Sequence, residues 1–107
     1  MDSISEYHVV VMPLANDDII GITDYIMNEL QAPDSAIPQM KRIIAAIFTL
    51  GNHPYRIPLM RDPILARKGY HALLVDNYMI FYTIHESVKT VMVMRVIYAK
   101  RNYKNLL

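Results

Sequence analysis

The sequence predicts an α+β fold in the order β-α-α-β-β-β, a mostly antiparallel sheet with a helical hairpin packed on one face. Three observations predict it. A short β-branched run stands alone near the start, and two stretches with apolar residues at three- and four-residue steps follow it. From residue 70 onward the hydrophobic period drops to two.

Residues 7–12 (YHVVVM) are short, β-branched and stopped by Pro13, which reads as a strand. Asn16, Asp17 and Asp18 then place side-chain oxygens and negative charge where a helix N-terminus favours both. Ala15, Ile19, Ile22, Ile26 and Leu30 line one face of that helix. A second helix is expected after Ala32-Pro33-Asp34, with Asp34 as its cap and Pro38 still in its first turn. Ile37, Met40, Ile44 and Ile47 repeat the helical spacing, Ile43 and Leu50 widen the stripe, and Gly51 is a natural stop. Two amphipathic helices across so short a break should form an antiparallel hairpin.

Residues 52–69 differ. They hold Pro54, Pro58 and Pro63 together with Arg56, Arg61, Arg67 and Lys68. A connection of this length without clear periodicity is unusual in a small domain and often functional. An ordered, largely irregular surface excursion is expected, with a turn of helix at PILARK. Residues 70–75 then form a strand, and Asp76-Asn77 a two-residue turn in which both residues tolerate positive φ. Tyr78–His85 alternates between two faces, residues 86–89 turn the chain, and Thr90–Tyr98 (TVMVMRVIY) is the most strand-like run present. The tail AKRNYKNLL adds three cations and a tyrosine.

A length of 107 residues suits one domain, here 1–107, with a single core. Apolar residues at 53% and charged ones at 20% describe a globular chain and exclude a disordered one. The absence of cysteine excludes disulfides, thiol nucleophiles and thiolate zinc sites. The longest apolar runs, IIAAIFTL and HALLV, fall far short of the about 20 residues that span a bilayer. The start, MDSISEYHVVV, is acidic and lacks the basic opening of a signal peptide, so a cytoplasmic protein without membrane attachment is expected. Charge is segregated: residues 1–40 carry −7 and residues 41–107 carry +8. Such a dipole either offers a basic face to a polyanion or acidic partner, or is neutralised internally by the acidic helix lying across the basic half.

Most chemistries are absent. His8, His53, His71 and His85 share no ligand spacing and no carboxylate cluster joins them, so no metal is expected. Three glycines make no phosphate loop, and the serines support no triad. No cofactor is implied. What remains is a cationic, tyrosine-rich C-terminal half, in which Arg95 interrupts the last strand and Lys100, Arg101, Tyr103 and Lys104 follow. Arginine forks bind phosphates and tyrosine rings stack on bases, which suits a nucleic-acid surface. A solvated charged tail that keeps an edge strand soluble accounts for the same residues.

The run GYHALLVDNYMIFYTIHESVKTVMVMRVIYAKRNYKNLL resembles the C-terminal half of RelE/ParE-family toxins. The shared marks are Gly69-Tyr70, then Tyr78 through Phe81-Tyr82, then Arg95-Val96 through Arg101 and Tyr103. Upstream, LANDDIIGITDYIMNEL and PYRIPLMRDPILARKGY fit the same family's helix–helix–loop layout. The resemblance spans nearly the whole chain and implies the β-α-α-β-β-β fold reached above. It also implies a bacterial toxin of a type II toxin–antitoxin module, causing growth arrest and neutralised by an antitoxin encoded beside it.

The resemblance leaves two targets. RelE-type members cut mRNA on the ribosome without a metal, using cations and an acid–base group around the scissile phosphate. ParE-type members poison DNA gyrase and are not nucleases. Where the RNA-cleaving site has an arginine on the third strand this chain has Met79, and its two second-strand lysines fall at about Tyr70 and Ala72, leaving His71 as the polar substitute. Only Arg101 matches, with Tyr103 near it as a catalytic acid or stacking group. Together with a pI of about 8.0, this favours the ParE-like branch. The alternatives are a RelE-like endoribonuclease using Arg101 and Tyr103, and a non-toxic antitoxin-binding module. Arg95, Lys100, Arg61, Arg67 and His71 are the candidate target-binding residues, expected to converge at the C-terminal end of the sheet.

Overall fold

The computed structural model describes residues 6–107. The reading of the start as no signal peptide, and the charge of Asp2, rest partly on residues outside those described. The chain runs β1 (His8–Val11), α1 (Pro13–Asp24), α2 (Pro33–Thr49), α3 (Pro63–Arg67), β2 (His71–Val75), β3 (Tyr78–His85) and β4 (Thr90–Tyr98). The sheet order is β1-β4-β3-β2, antiparallel except where β1 runs parallel to β4. The α+β architecture is thus the one the hydrophobic periods predict. No helix among the described residues is long and apolar enough to cross a membrane.

Two cores lie on opposite faces of the sheet. On the first, Ala15 and Ile19 of α1 and Ile43 and Ile47 of α2 pack with Ile80, Tyr82, Val91, Val93 and Val96. On the second, Leu65, Tyr70, Phe81 and Ile97 are buried, with Met60, Met79, Met94, Tyr103, Leu106 and Leu107 packed around them. A β-bulge decides which side chain goes where. Phe81 pairs with Arg95 and Tyr82 with Val93, so Met94 is the extra residue. Val91 and Val93 face the helices before it; Val96 faces them after it, and Ile97 turns to the second face.

The helix ends differ from expectation. α1 starts at Pro13, not at the Asn16–Asp18 oxygens, because proline's fixed φ and missing N–H suit the first helical position. The helix then widens into a π turn over Tyr25–Glu29 that keeps Ile26 buried, and Gln31 leaves it in the left-handed region (φ 49°). α2 likewise starts on a proline, Pro33; Asp34 lies inside its first turn and caps nothing with its side chain, and Pro38 falls in the second turn. Gly51 does not stop α2 with a left-handed residue. Instead the Arg56 Nη1 donates to the Asn52 carbonyl at 2.8 Å, with longer bonds to the Thr49 and His53 carbonyls, closing the helix end from a distance. In the β2–β3 turn only Asp76 has positive φ (54°), and its carboxylate accepts from Arg42 Nε and Gln39 Nε2, both at 2.8 Å. The PILARK turn is α3, its N-terminus capped by the Asp62 carboxylate accepting from the Ile64 and Leu65 N–H groups.

Candidate functional site

β1 pairs only with Thr90–Val93, so the far half of β4, paired with β3 on one side, has no strand on its other edge. α1 lies there instead. Asp18 turns its carboxylate onto that open edge, accepting from the Val96 N–H at 2.9 Å and from Arg95 Nε and Nη2 at 2.7 and 2.9 Å. The remaining Arg95 Nη1 donates to the Leu106 carbonyl at 3.3 Å. Both side chains of the pair are about five-sixths buried, at 16% and 17% exposure. Arg95 therefore joins α1, β4 and the tail, and its fork is occupied.

Beyond this pair, α1 and the end of the sheet enclose a groove of about 790 Å³. Ile22, Tyr25 and Leu30 line one wall, and Tyr78, Val96, Tyr98 and Arg101 the other. Tyr25, Leu30 and Tyr98 are 54%, 56% and 44% exposed, a large apolar display for so small a protein. The Tyr78 and Tyr98 rings meet edge to face at 6.0 Å, and burial, aided by its neighbouring phenols, pushes the Tyr78 hydroxyl above its usual range. Gly21 also lines the groove, and a Cβ built on it would meet nothing within 4 Å. Glycine inside a helix costs about 0.5–1 kcal/mol relative to alanine, and no packing within the chain requires it here. Asp17 on the helix wall and Arg101 opposite enter no ion pair among the described residues.

The second face is closed. The tail folds back across it, the Tyr103 ring lying 4.9 Å from that of Phe81. Lys104 Nζ is 2.9 Å from the Asp62 carboxylate, and Lys68 Nζ donates to the Leu107 carbonyl at 3.2 Å. Tyr70, Ala72 and Met79, the positions aligned with the RNA-cleaving cations, all join this apolar cluster.

The candidate residues are therefore brought together only in part. Arg101 faces the α1 groove, whereas Tyr103 belongs to the opposite face. Lys100 is exposed beside Arg101, and Arg61 and Arg67 are exposed on either side of the α3 core position Leu65. His71 is 6% exposed; its Nδ1–H donates to the Ile57 carbonyl at 2.7 Å and its ring stacks on Tyr82 at 5.1 Å. It fixes the long connection against β2.

A second polar cluster lies at the β3–β4 turn. The Tyr7 and Tyr55 hydroxyls donate to one oxygen of Glu86 at 2.8 and 2.7 Å, and Lys89 pairs with the other. These donors hold the Glu86 carboxyl at about 2, the Lys89 ammonium contributing most. Sequence reasoning passed over Tyr25, Gly21 and Glu86, and read Asp18 only as charge at a helix start. Only the glycine left a readable signal, an isolated helix breaker inside an otherwise regular apolar pattern.

Residues 9–103 match the family described as the ParE toxin of the type II toxin–antitoxin system parDE. Among solved structures, the chain is similar to one from the chromosomal ParDE system of P. aeruginosa, with a TM-score of 0.72 at 15% identity, covering 91% of this chain and 100% of that one. It is also similar to a chain of the toxin–antitoxin complex RelBE2 from Mycobacterium tuberculosis, with a TM-score of 0.62 at 23% identity, covering 87% and 98%. At these identities the structural likeness bears on the fold. No curated protein matches the sequence.

Proposed function

The chain belongs to the ParE toxin family of type II toxin–antitoxin systems, and from that premise we propose that it arrests bacterial growth by poisoning DNA gyrase and is neutralised by a cognate antitoxin. One observation carries the choice of target. The sheet face on which RNA-cleaving relatives gather cations is here an apolar cluster containing Tyr70, Ala72 and Met79, roofed by the tail. A phosphate gaining charge in a transition state needs preorganised donors, each worth about 2.7–4 kcal/mol. On this face Lys104 is engaged by Asp62 and Lys68 by the Leu107 carbonyl, and Arg101 and Tyr103 lie on opposite sides of the sheet. Under this reading Arg101 and Lys100 contact the target from the end of β4, Arg61 and Arg67 offer a second contact beside α3, and Arg95 and His71 support them through the fold. Both candidate targets are cytoplasmic, as the chain would be.

The test sorts the cellular target. Expressed alone, the protein should induce the DNA-damage response and trap gyrase on broken DNA while translation at first continues; the product of the adjoining reading frame should restore growth. Immediate loss of translation with cut mRNA and intact DNA would assign the RelE-like activity instead. Unimpeded growth with folded protein present would leave only the antitoxin-binding role.

A further inference from the structure

We propose that the solvent face of the α1–α2 hairpin binds a second copy of this chain, paired about a two-fold axis that runs along the seam between the helices. The proposal is independent of the toxin reading and of the groove beside β4. The outward face of a surface helix is ordinarily polar. Here Ile20 of α1 and Ile37, Ile44 and Phe48 of α2 are 53, 39, 36 and 56% exposed. Ile37, Lys41, Ile44 and Phe48 follow at three- and four-residue steps, so they form one stripe with Lys41 inside it. That stripe lies on the flank of α2 turned toward α1, because Gln39 and Arg42 on the opposite flank reach Asp76 in the β2–β3 turn. Ile20 likewise lies on the flank of α1 turned away from Asp18, which holds the β4 edge. The four side chains therefore make a single apolar ridge over the seam, larger than scattered surface residues would give.

Charge selects the occupant. Lys41 and Asp24 are both exposed on the hairpin, and neither enters an ion pair among the described residues. A purely apolar partner would cover the Lys41 ammonium without giving it an acceptor, which opposes binding. A second copy brings one. Counted outward from the turn at residues 30–32, Lys41 stands level with residues 22–24 of α1. A two-fold axis along the seam lays α2 over α1 of the other copy at the same level. Each Lys41 then meets Asp24 of the other copy, twice by symmetry. An axis across the seam would instead set α1 on α1 and bring its acids, Asp17 and Asp24, against one another. The 17 residues of α2 span about 25 Å, and two helices about 10 Å apart present a face of roughly 500 Å². The two copies together bury about 1,000 Å², the lower bound of a specific interface, which fits a reversible dimer in the micromolar range. The ridge supplies affinity and the paired charges fix the register.

The test is sedimentation equilibrium of the purified full chain from about 1 to 200 μM, a range in which mass action resolves a micromolar dimer. The parent should pass from monomer to dimer across it. Phe48→Asp, at an exposed position, should remain monomeric with its circular dichroism and cooperative melting retained. Should that variant fail to fold, Ile20→Asp reads the same ridge. Leu74→Asp, on β2 and 58% exposed, should dimerise as the parent does. Lys41→Glu and Asp24→Lys should each weaken the dimer about 10-fold alone. Mixed together they should dimerise like the parent, because the mixed pair restores opposite charges at both contacts. A parent that stays monomeric, a dimer that survives in the folded ridge variant, or one lost through Leu74→Asp would overturn the proposal. Charge variants that do not recover on mixing would overturn it as well. The toxin reading stands or falls separately, on the sorting of the cellular target.

Discussion

Glu86 is half exposed, yet three donors from three parts of the chain converge on it: Tyr7 ahead of β1, Tyr55 in the long connection, and Lys89 in its own turn. Its carboxyl falls from the ordinary 4.5 to about 2. The sign of the linkage follows, because a carboxylate depressed in the folded state stabilises it above the unfolded value. That contribution is lost as pH falls from about 4.5 toward 2. Asp62 and Asp76 are also depressed, by Lys104 and Arg42 respectively, and add to the same acid limb. The informative quantity is thus a difference. Glu86→Gln should melt below the parent at pH 7, and the gap should close by about pH 2. A gap that persists at pH 2 would mean the cluster does not depend on ionised Glu86. The pair of Asp18 and Arg95 behaves differently because it is mostly buried. Asp18→Ala leaves a guanidinium and the Val96 N–H without their acceptor, so about 2–3 kcal/mol of stability should disappear in urea unfolding. Arg101→Ala lies at the other extreme. It should move stability by no more than about 0.5 kcal/mol while reducing toxicity, and full toxicity at parental expression would remove Arg101 from the target surface.

At the scale of elements, what was readable followed from side-chain period, and what was not followed from contacts distant in sequence. The apolar stripes of α1 and α2, the three later strands and the PILARK turn could be read because each repeats a local pattern. The helix starts could not. Prolines at the first helical position won over the nearby aspartates, and one of these, Asp18, serves a strand 77 residues away. The candidate site failed for the same reason. The cations from Arg95 to Lys104 are consecutive in sequence, but a bulge and a reversal of the tail distribute them between an ion pair, a groove and the second face. The tail is the clearest case. Read as a solvated cationic end, it is the roof of a core, with Tyr103, Leu106 and Leu107 packed on the second-face cluster. Replacing all three by serine should cost about 3–5 kcal/mol and expose a surface that binds a hydrophobic dye. An unchanged melting temperature would show the roof to be dispensable.

For the molecule as a whole, the charge segregation survives folding. All three acids of the basic half, Asp62, Asp76 and Glu86, pair with cations of that same half, and Asp18 with Arg95 is the one ion pair linking the two halves among the described residues. Internal neutralisation by the acidic helix is therefore not how the charge is balanced. Nor do the acids of the hairpin screen the cations at a distance, since the molecule measures 43 × 39 × 21 Å and the Debye length in physiological salt is about 8 Å. Affinity for a polyanion then depends on how many free cations one surface gathers. Four of the eleven are in ion pairs and Arg56 closes α2. Of the six left, Lys41 stands alone on α2, and the other five form two small groups, Arg61, Arg67 and Lys68 around α3, and Lys100 with Arg101 at the end of β4. Each phosphate contact contributes about −0.9 to the slope of log K against log salt, so one group at a time gives a slope of about −2 to −3. Random duplex DNA should accordingly bind weakly with that slope in fluorescence anisotropy, as the proposed gyrase reading requires of a toxin that recognises a protein on DNA more than DNA itself. A slope steeper than about −5 would mean that both groups meet one strand together, and would return a nucleic acid to the head of the target list.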